Sequence, residues 1–252
     1  MRRRPDEPIV RHGLARVLSK MGLASRTVAA QWIRDGRVSV NGRVVRDPEF
    51  PTRMPADRVL VADQAAVVAE RVYVMLNKPR GLVTTTRDER GRATVYQCFA
   101  ESGLPWLAPV GRLDQASEGL LLFSNDPGWA AAITEGSGGH AITKTYHVQI
   151  DRIPDADLLA ALRAGVVDAG EALAAVSVAI LRQGDKNAWL EIVLDEGRNR
   201  QIRRLLAAHD VTVLRLIRIA VGGLALGTLA KGHWRRLTES EALALAPVSV
   251  QR

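Results

Sequence analysis

GRLDQASEGLLLF, residues 111–123, sets one carboxylate, Asp114, in a polar turn ahead of an unbroken apolar run from Leu120 to Phe123. The run predicts a buried strand. Gly111, Arg112 and Asp114 before it describe a turn at the edge of a pocket. Two later segments supply what a lone carboxylate needs. Lys144-Thr145-Tyr146 opens the strand TYHVQI, where period-two alternation puts Tyr146 and Val148 on one face and Thr145 and His147 on the other. EGRNRQIRRLLAAHD, residues 196–210, predicts a helix from about Asn199, with Ile202, Leu205 and Leu206 on one side. Arg200, Arg203 and Arg204 then fall within an arc of about 100° on another. Gly197, with Asp195 and Glu196, suits the turn ahead of that helix.

Each segment alone has a plain reading: a packed tyrosine, a solvated basic helix face. Together they describe chemistry. An arginine beside a carboxylate keeps it ionised against the desolvation that would protonate it. Such a carboxylate acts as nucleophile or base without a metal. A neighbouring ring can stack on a nucleobase. These parts fit work on a base taken out of its stack. Glu118 is the nearest second carboxylate, but Gly119 and the apolar run argue against a helix linking it to Asp114, so its expected role is structural.

The chain has 252 residues, 47% apolar and 25% charged, with one cysteine, Cys98, and a net charge of +8. This is the composition of a globular protein without an intrachain disulfide. No apolar run approaches the roughly 20 residues that span a bilayer, and the basic N-terminus lacks the apolar segment of a secretory signal. A cytoplasmic protein is expected, with no membrane partner. Residues 1–66 carry 13 Lys and Arg against 7 Asp and Glu, so six of the eight surplus charges lie in the first quarter. A basic module points to a polyanionic partner.

Residues 1–10 read as a flexible basic arm and 11–63 as a small domain. Leu14, Val17, Leu18 and Met21 have the spacing of one helix face, ended by Gly22. Ser25 suits the N-cap of a second helix, with Val28, Ala29, Trp32 and Ile33 inward and Gly36 at its end. Val38-Ser39-Val40, Asn41-Gly42 and Val44-Val45 form a hairpin signature. Arg16, Lys20, Arg26, Arg34, Arg37 and Arg43 remain exposed. Residues 64–71 read as a linker, 72–240 as a catalytic domain and 241–252 as a tail. Strands are expected at 59–61, 72–76, 120–123, 145–150, 175–181, 189–194 and 211–217, and helices at 127–134, 155–165 and 199–208. This mixture without strict alternation predicts an α+β fold with a largely antiparallel sheet.

LSKMGLASRTVAAQWIRDGRVSVNGRVV resembles the small RNA-binding domain first described in ribosomal small-subunit protein four, with Thr27 where an arginine is usual. GRLDQASEGLLLF, KTY and EGRNRQIRR, with NKPRG at 77–81 and RLIRIAVGGLALGTLAKGHWRRLT at 215–238, resemble the RsuA/RluB-type ribosomal RNA pseudouridine synthases. Gly136 to His140 stands where that family has a shorter His-Pro loop. The resemblance implies isomerisation of a uridine in ribosomal RNA without a cofactor; no metal is expected, and nothing in the sequence suggests more than a monomer. Asp114 would be the essential carboxylate, Tyr146 would stack on the uracil, Arg203 would pair with Asp114, and Arg112 would enter the RNA helix. Lys144, Arg198, Arg200 and Arg204 would contact RNA, as would the six basic residues of the N-terminal domain. EGRNRQIRR and RLIRIAVGG look closer to the large-subunit branch than to the small-subunit one.

Other classes fit less well. A non-catalytic RNA-binding or ribosome-assembly protein predicts loss of the aspartate or tyrosine, and both are present. A methyltransferase calls for a Gly-rich cofactor loop after a strand, and Gly222-Gly223 and Gly136 to Gly139 lack that context. Metal-dependent hydrolysis needs clustered ligands, whereas the five histidines are scattered.

Overall fold

The computed structural model describes residues 11–246 apart from residues 63, 67–68, 87 and 137–140. The expected arm at 1–10, and the core of the Gly136 to His140 loop, lie outside the described residues. The chain divides into two compact units, Met1–Val72 with Gly103–Ala108 and Asn125–Pro127, and the remainder from Tyr73 onward.

The first unit contains β1 (His12–Gly13), α1 (Leu14–Lys20), α2 (Arg26–Arg34), β2 (Val38–Val40), β3 (Arg43–Val44), β4 (Pro51–Thr52), β5 (Val59–Val61) and β6 (Gln64–Ala65). Leu14 and Leu18 of α1 meet Ala29 and Ile33 of α2 in one core with Val38, Val40 and Val59. Ser25 caps α2 by accepting from the backbone N of Val28 at 3.1 Å. The buried stripe of α2 is narrower than expected: Val28 is 43% exposed, because the core is filled by Ala29 and Ile33 with Trp32 at its margin. Asn41 and Gly42 both take positive φ, 52° and 81°, the turn that folds β3 back on β2. The expected linker at 64–71 begins with a strand. Gln64–Ala65 is the edge strand of a four-stranded sheet ordered β3-β2-β5-β6. Beyond it, the Asn125 side chain accepts from Val72 N and donates to Glu70 O, both at 2.8 Å. Arg71 pairs with Asp126 at 2.6 Å.

The second unit is built on β7 (Tyr73–Lys78), β8 (Ala108–Val110), β9 (Glu118–Ser124), α3 (Pro127–Glu135), β10 (Lys144–Ile150), α4 (Ala156–Ala164), β11 (Val166–Asp168) and β12 (Glu171–Leu173). It continues with β13 (Ser177–Gln183), β14 (Ala188–Leu194), α5 (Gln201–Ala207), β15 (Val213–Val221), β16 (Leu224–Ala225), β17 (Trp234–Arg236) and α6 (Glu239–Leu245). Its main sheet runs β13-β14-β10-β15-β9-β7-β17, with β16 on β15 and β8 on β9. The fold is α+β and the sheet mostly antiparallel. Met75, Leu120 and Leu122 pack with Trp129, Ile133, Ala242 and Leu245. The Trp129 indole N–H donates to Ala242 O at 2.9 Å. The tail expected from 241 therefore begins inside a helix. Thr238 and Glu241 cap that helix reciprocally, and Ala242 and Leu245 bury its inner face.

Between β9 and β15 the pairing is parallel, with Ile217 opposite Glu118 and Arg218 opposite Gly119. The backbones approach so closely there that a Cβ on Gly119 would lie 2.2 Å from Arg218 O, at a φ of +100° that disfavours any side chain. Gly119→Ala should cost roughly 3 kcal/mol or more. Gly170→Ala has positive φ but open space around it, and should cost only about 1 kcal/mol. Chemical denaturation of the two variants checks this. Equal losses would contradict it.

Candidate active site

Asp114 sits in the turn between β8 and β9, and three residues of the segment 78–84 fix that turn. Gly81 N donates to Gln115 O at 2.8 Å, and the Gln115 amide donates back to Gly81 O at 3.1 Å. The Thr84 hydroxyl donates to Leu113 O at 2.7 Å. Lys78, at the end of β7, is fully buried and directs Nζ to Asp114 O at 3.1 Å, Ser117 O at 2.8 Å and Pro79 O at 3.1 Å. With the backbone tied on three sides, the Asp114 carboxylate is left over an open cleft and is 36% exposed.

The cleft has a volume of about 390 Å³, and Arg112, Asp114, Lys144, Tyr146, Arg200 and Arg203 all line it. Tyr146 comes from the middle of the sheet, on β10 between Ile192 of β14 and Arg218 of β15, and is 8% exposed. The alternation expected of TYHVQI holds: Tyr146 and Val148 are buried, Thr145 and His147 are not. Arg218 donates Nε to Leu120 O at 2.7 Å and lines the same cleft. Burial depresses the Lys144 ammonium pKa first, and repulsion from Arg218 depresses it further.

The arginines are arranged differently from the sequence expectation. Helix α5 begins at Gln201, and Arg200 ahead of it is left-handed, φ 50° and ψ 31°. The shared arc of Arg200, Arg203 and Arg204 is thereby broken. Among the described residues Arg200 is the cation that comes within 4.0 Å of the carboxylate, with Nη1 at 3.9 Å from Asp114 Oδ2. The expected ion pair of Arg203 with Asp114 is absent at that range. Arg203 instead donates Nη1 to Val213 O at 3.2 Å, and its buried Nε has no hydrogen-bond partner. Burial lowers the Arg203 pKa, as does repulsion from Arg200, while Asp114 acts in the opposite sense. Arg204 turns away to Asp168 and Glu171. Arg198 lines the cleft but is engaged by Glu196 at 2.7 Å and Glu171 at 3.5 Å. Both guanidiniums are paired with carboxylates here, unlike that of Arg200, whose nearest carboxylate is Asp114 itself.

Glu118 is not at the cleft. It opens β9 with a side chain only 4% exposed, paired with Arg215 at 3.1 Å and with Lys231. Burial works to raise its pKa, but those two cations prevail and hold it below the usual carboxylate range. Three residues of the site had gone unassigned. Lys78 stood in NKPRG, where nothing in the sequence showed its ammonium under the Asp114 turn. Gln201 is buried in EGRNRQIRR, donating to Glu196 at 2.6 Å and Ala174 O at 3.2 Å while accepting from Arg198 N at 3.1 Å. Arg218 is the third. In the first unit Arg16, Lys20, Arg26, Arg34, Arg37 and Arg43 are all exposed, with Arg37 stacked on the Trp32 ring at 5.4 Å.

The RNA pseudouridylate synthase family model matches residues 72–208, and the S4 domain model matches residues 13–59. An uncharacterized RNA pseudouridine synthase of Mycobacterium tuberculosis is 38% identical over 90% of each chain. The chain belongs to the RsuA/RluB-type RNA pseudouridine synthases. The ribosomal large subunit pseudouridine synthase B of Bacillus subtilis is 34% identical to this synthase, over 92% of this chain and 94% of that one. A crystal structure of a pseudouridylate synthase superposes with a TM-score of 0.62 at 30% identity, over 94% of this chain and all of that one. The synthase carries an S4 RNA-binding domain at its N-terminal end. No helix among its described residues is long and apolar enough to cross a membrane.

Burial brings the Lys78 pKa down from 10.5 to about 8, against the opposing pull of Asp114, Glu118 and Cys98. The unfolded chain keeps this proton to about 10.5 and the folded protein loses it near 8, so between those values the unfolded state binds more protons. Stability contributed by Lys78 therefore rises with pH across that window. Lys78→Met removes the slope along with two hydrogen bonds to the Asp114 turn and one to Pro79 O. Conversion of uridine should fall at least about tenfold with secondary structure retained, and the pH dependence above 8 should flatten relative to the parent. Parallel stability curves for the two proteins would contradict this.

Proposed function

We propose that this synthase isomerises a uridine of ribosomal RNA, in the large subunit, with Asp114 as the reacting carboxylate. The observation that carries the reading is the convergence of Asp114, Tyr146, Arg200 and Arg203 on one cleft. The large-subunit assignment is supported by the likeness to the B. subtilis enzyme, whose name gives that substrate.

In this reading the target uridine leaves its stack and enters the cleft. Its glycosidic bond, from ribose C1′ to uracil N1, breaks. The detached uracil turns, C5 bonds to the same C1′, and the proton displaced from C5 is balanced by one gained at N1. Nothing is added or lost, so no cofactor is called for. Asp114 either attacks C1′ or removes a ribose proton to give a glycal. Both routes need an ionised carboxylate, which Arg200 and Arg203 favour by their charge. Tyr146 supports the ring and lies within the same cleft as the C5 proton to be removed. Arg112, exposed on the rim, fills the space left in the RNA. Lys144 and Arg200 meet backbone phosphates near the target, and the basic face of the S4 domain supplies much of the salt-sensitive affinity.

Asp114→Asn keeps the shape and removes the charge, so it should abolish pseudouridine formation in an rRNA fragment and leave affinity for that fragment within about twofold. Because the two arginines act through the carboxylate, Arg200→Ala and Arg203→Ala should each lose most activity, and adding either to Asp114→Asn should change little further. Turnover assays beside binding assays on the same RNA decide the matter. Substantial conversion by Asp114→Asn would overturn the reading.

A further inference from the structure

The sheet of the catalytic unit has two faces, and only one is used by the cleft. Tyr146, Val148, Leu190, Ile192, Leu194 and Leu216 are buried on the cleft side. Their alternating neighbours on β13, β14, β10 and β15 point the other way, and none of them is fully buried. Cross-strand register sets one row on that reverse face: Arg182 opposite Trp189, Trp189 opposite Gln149, Gln149 opposite Arg215. The guanidiniums of Arg182 and Arg215 lie over the Trp189 ring at 5.1 Å and 5.6 Å. A second row holds Glu191 and His147, 3.6 Å apart, and then Ile217.

The charges of this face do not cancel. Arg182 is exposed at the sheet edge and makes no ion pair among the described residues. Arg215 and Lys231 share one carboxylate, Glu118, whose side chain is only 4% exposed beneath them. The other carboxylate, Glu191, faces His147. Outward, the patch presents Arg182 without a carboxylate partner and Arg215 and Lys231 sharing one, with the guanidiniums of Arg182 and Arg215 both over the Trp189 indole. A guanidinium already held over a ring loses little further freedom when it meets a phosphate. An open sheet with planar and cationic side chains also suits unpaired nucleotides, which stack on rings while their backbone meets arginines.

We propose that this reverse face is a second RNA-docking surface, on which unpaired nucleotides flanking the target stem lie across Arg182, Trp189 and Arg215. The proposal rests on RNA being the substrate, and adds where the RNA beyond the target is held. An acidic protein partner is the competing occupant. It would need a dry apolar centre, whereas the middle of this face is an indole between two arginines.

The test uses the full chain, the rRNA transcript it converts, and the shortest stem-loop cut from that transcript that is still converted. Arg182→Glu and Trp189→Ala should bind the long transcript roughly tenfold more weakly, and Arg182→Glu should lower the salt slope by about one. Conversion of the stem-loop should match the parent, and a photocrosslinker at position 182 should capture RNA. Arg182→Glu changes an exposed edge position, so it remains informative if Trp189→Ala fails to fold. Unchanged affinity and salt slope for Arg182→Glu on the long transcript would overturn the proposal. So would equal loss on the stem-loop, or a crosslink to protein alone. A parent that converts no rRNA defeats the substrate reading itself, and this proposal with it, before any variant is made.

Discussion

Backbone contact at Gly119 and Arg218 is the constraint on which the catalytic unit depends. It is where β9, which follows the Asp114 turn, meets β15, which leads through β10 to Tyr146. Only two residue pairs form this parallel ladder, so its geometry rests on a close approach that a single Cβ would prevent. Arg218 reinforces the joint by donating from its side chain to Leu120 O. Carboxylate and ring thus come from different halves of one sheet, and the distance between them is set by a glycine distant from both in role. A rigid element on either side is what holds a reacting geometry to the fraction of an ångström that catalysis needs.

Around that joint, charge is sorted by burial. Glu118 is neutralised by two cations and serves the scaffold. Arg198 and Arg204 are tied to carboxylates and hold α5 and the β11–β12 hairpin in place. Arg200 lies closest to Asp114, while Arg203 lines the same cleft and donates to Val213 O. A buried lysine beneath the turn completes the arrangement, fixing the backbone of Asp114 while leaving its side chain open to the cleft. The proposed chemistry asks for little more than this: an ionised carboxylate, a ring, and positive potential in one cleft.

Much of this was readable in the chain. Apolar runs and alternation gave β9, β10 and β14 within a few residues, because each strand's buried face is written as period-two or continuous apolar sequence. Ser25, Asn41-Gly42 and the spacing of Leu14 and Leu18 announced the small N-terminal domain through local rules that need no tertiary context. What could not be read was decided by long-range partners. The start of α5 depends on the Gln201 side chain satisfying backbone ahead of it, and that removed Arg200 from the helix. Which arginine meets Asp114 depends on Asp168 and Glu171, about thirty residues away in sequence, claiming Arg204. The placing of residues 70–72 and of Ala242 turned on Asn125, Asp126 and Trp129, whose hydrogen bonds no local pattern records.

The central claim is that this cleft acts on uridine within ribosomal RNA. Mapping pseudouridines across total rRNA from cells with and without the gene tests it most directly. The account predicts that one or a few positions in the large-subunit rRNA revert to uridine when the gene is absent, with the rest of the map unchanged. An identical rRNA map in the two strains, or a loss confined to the small subunit or to RNA outside the ribosome, would contradict it.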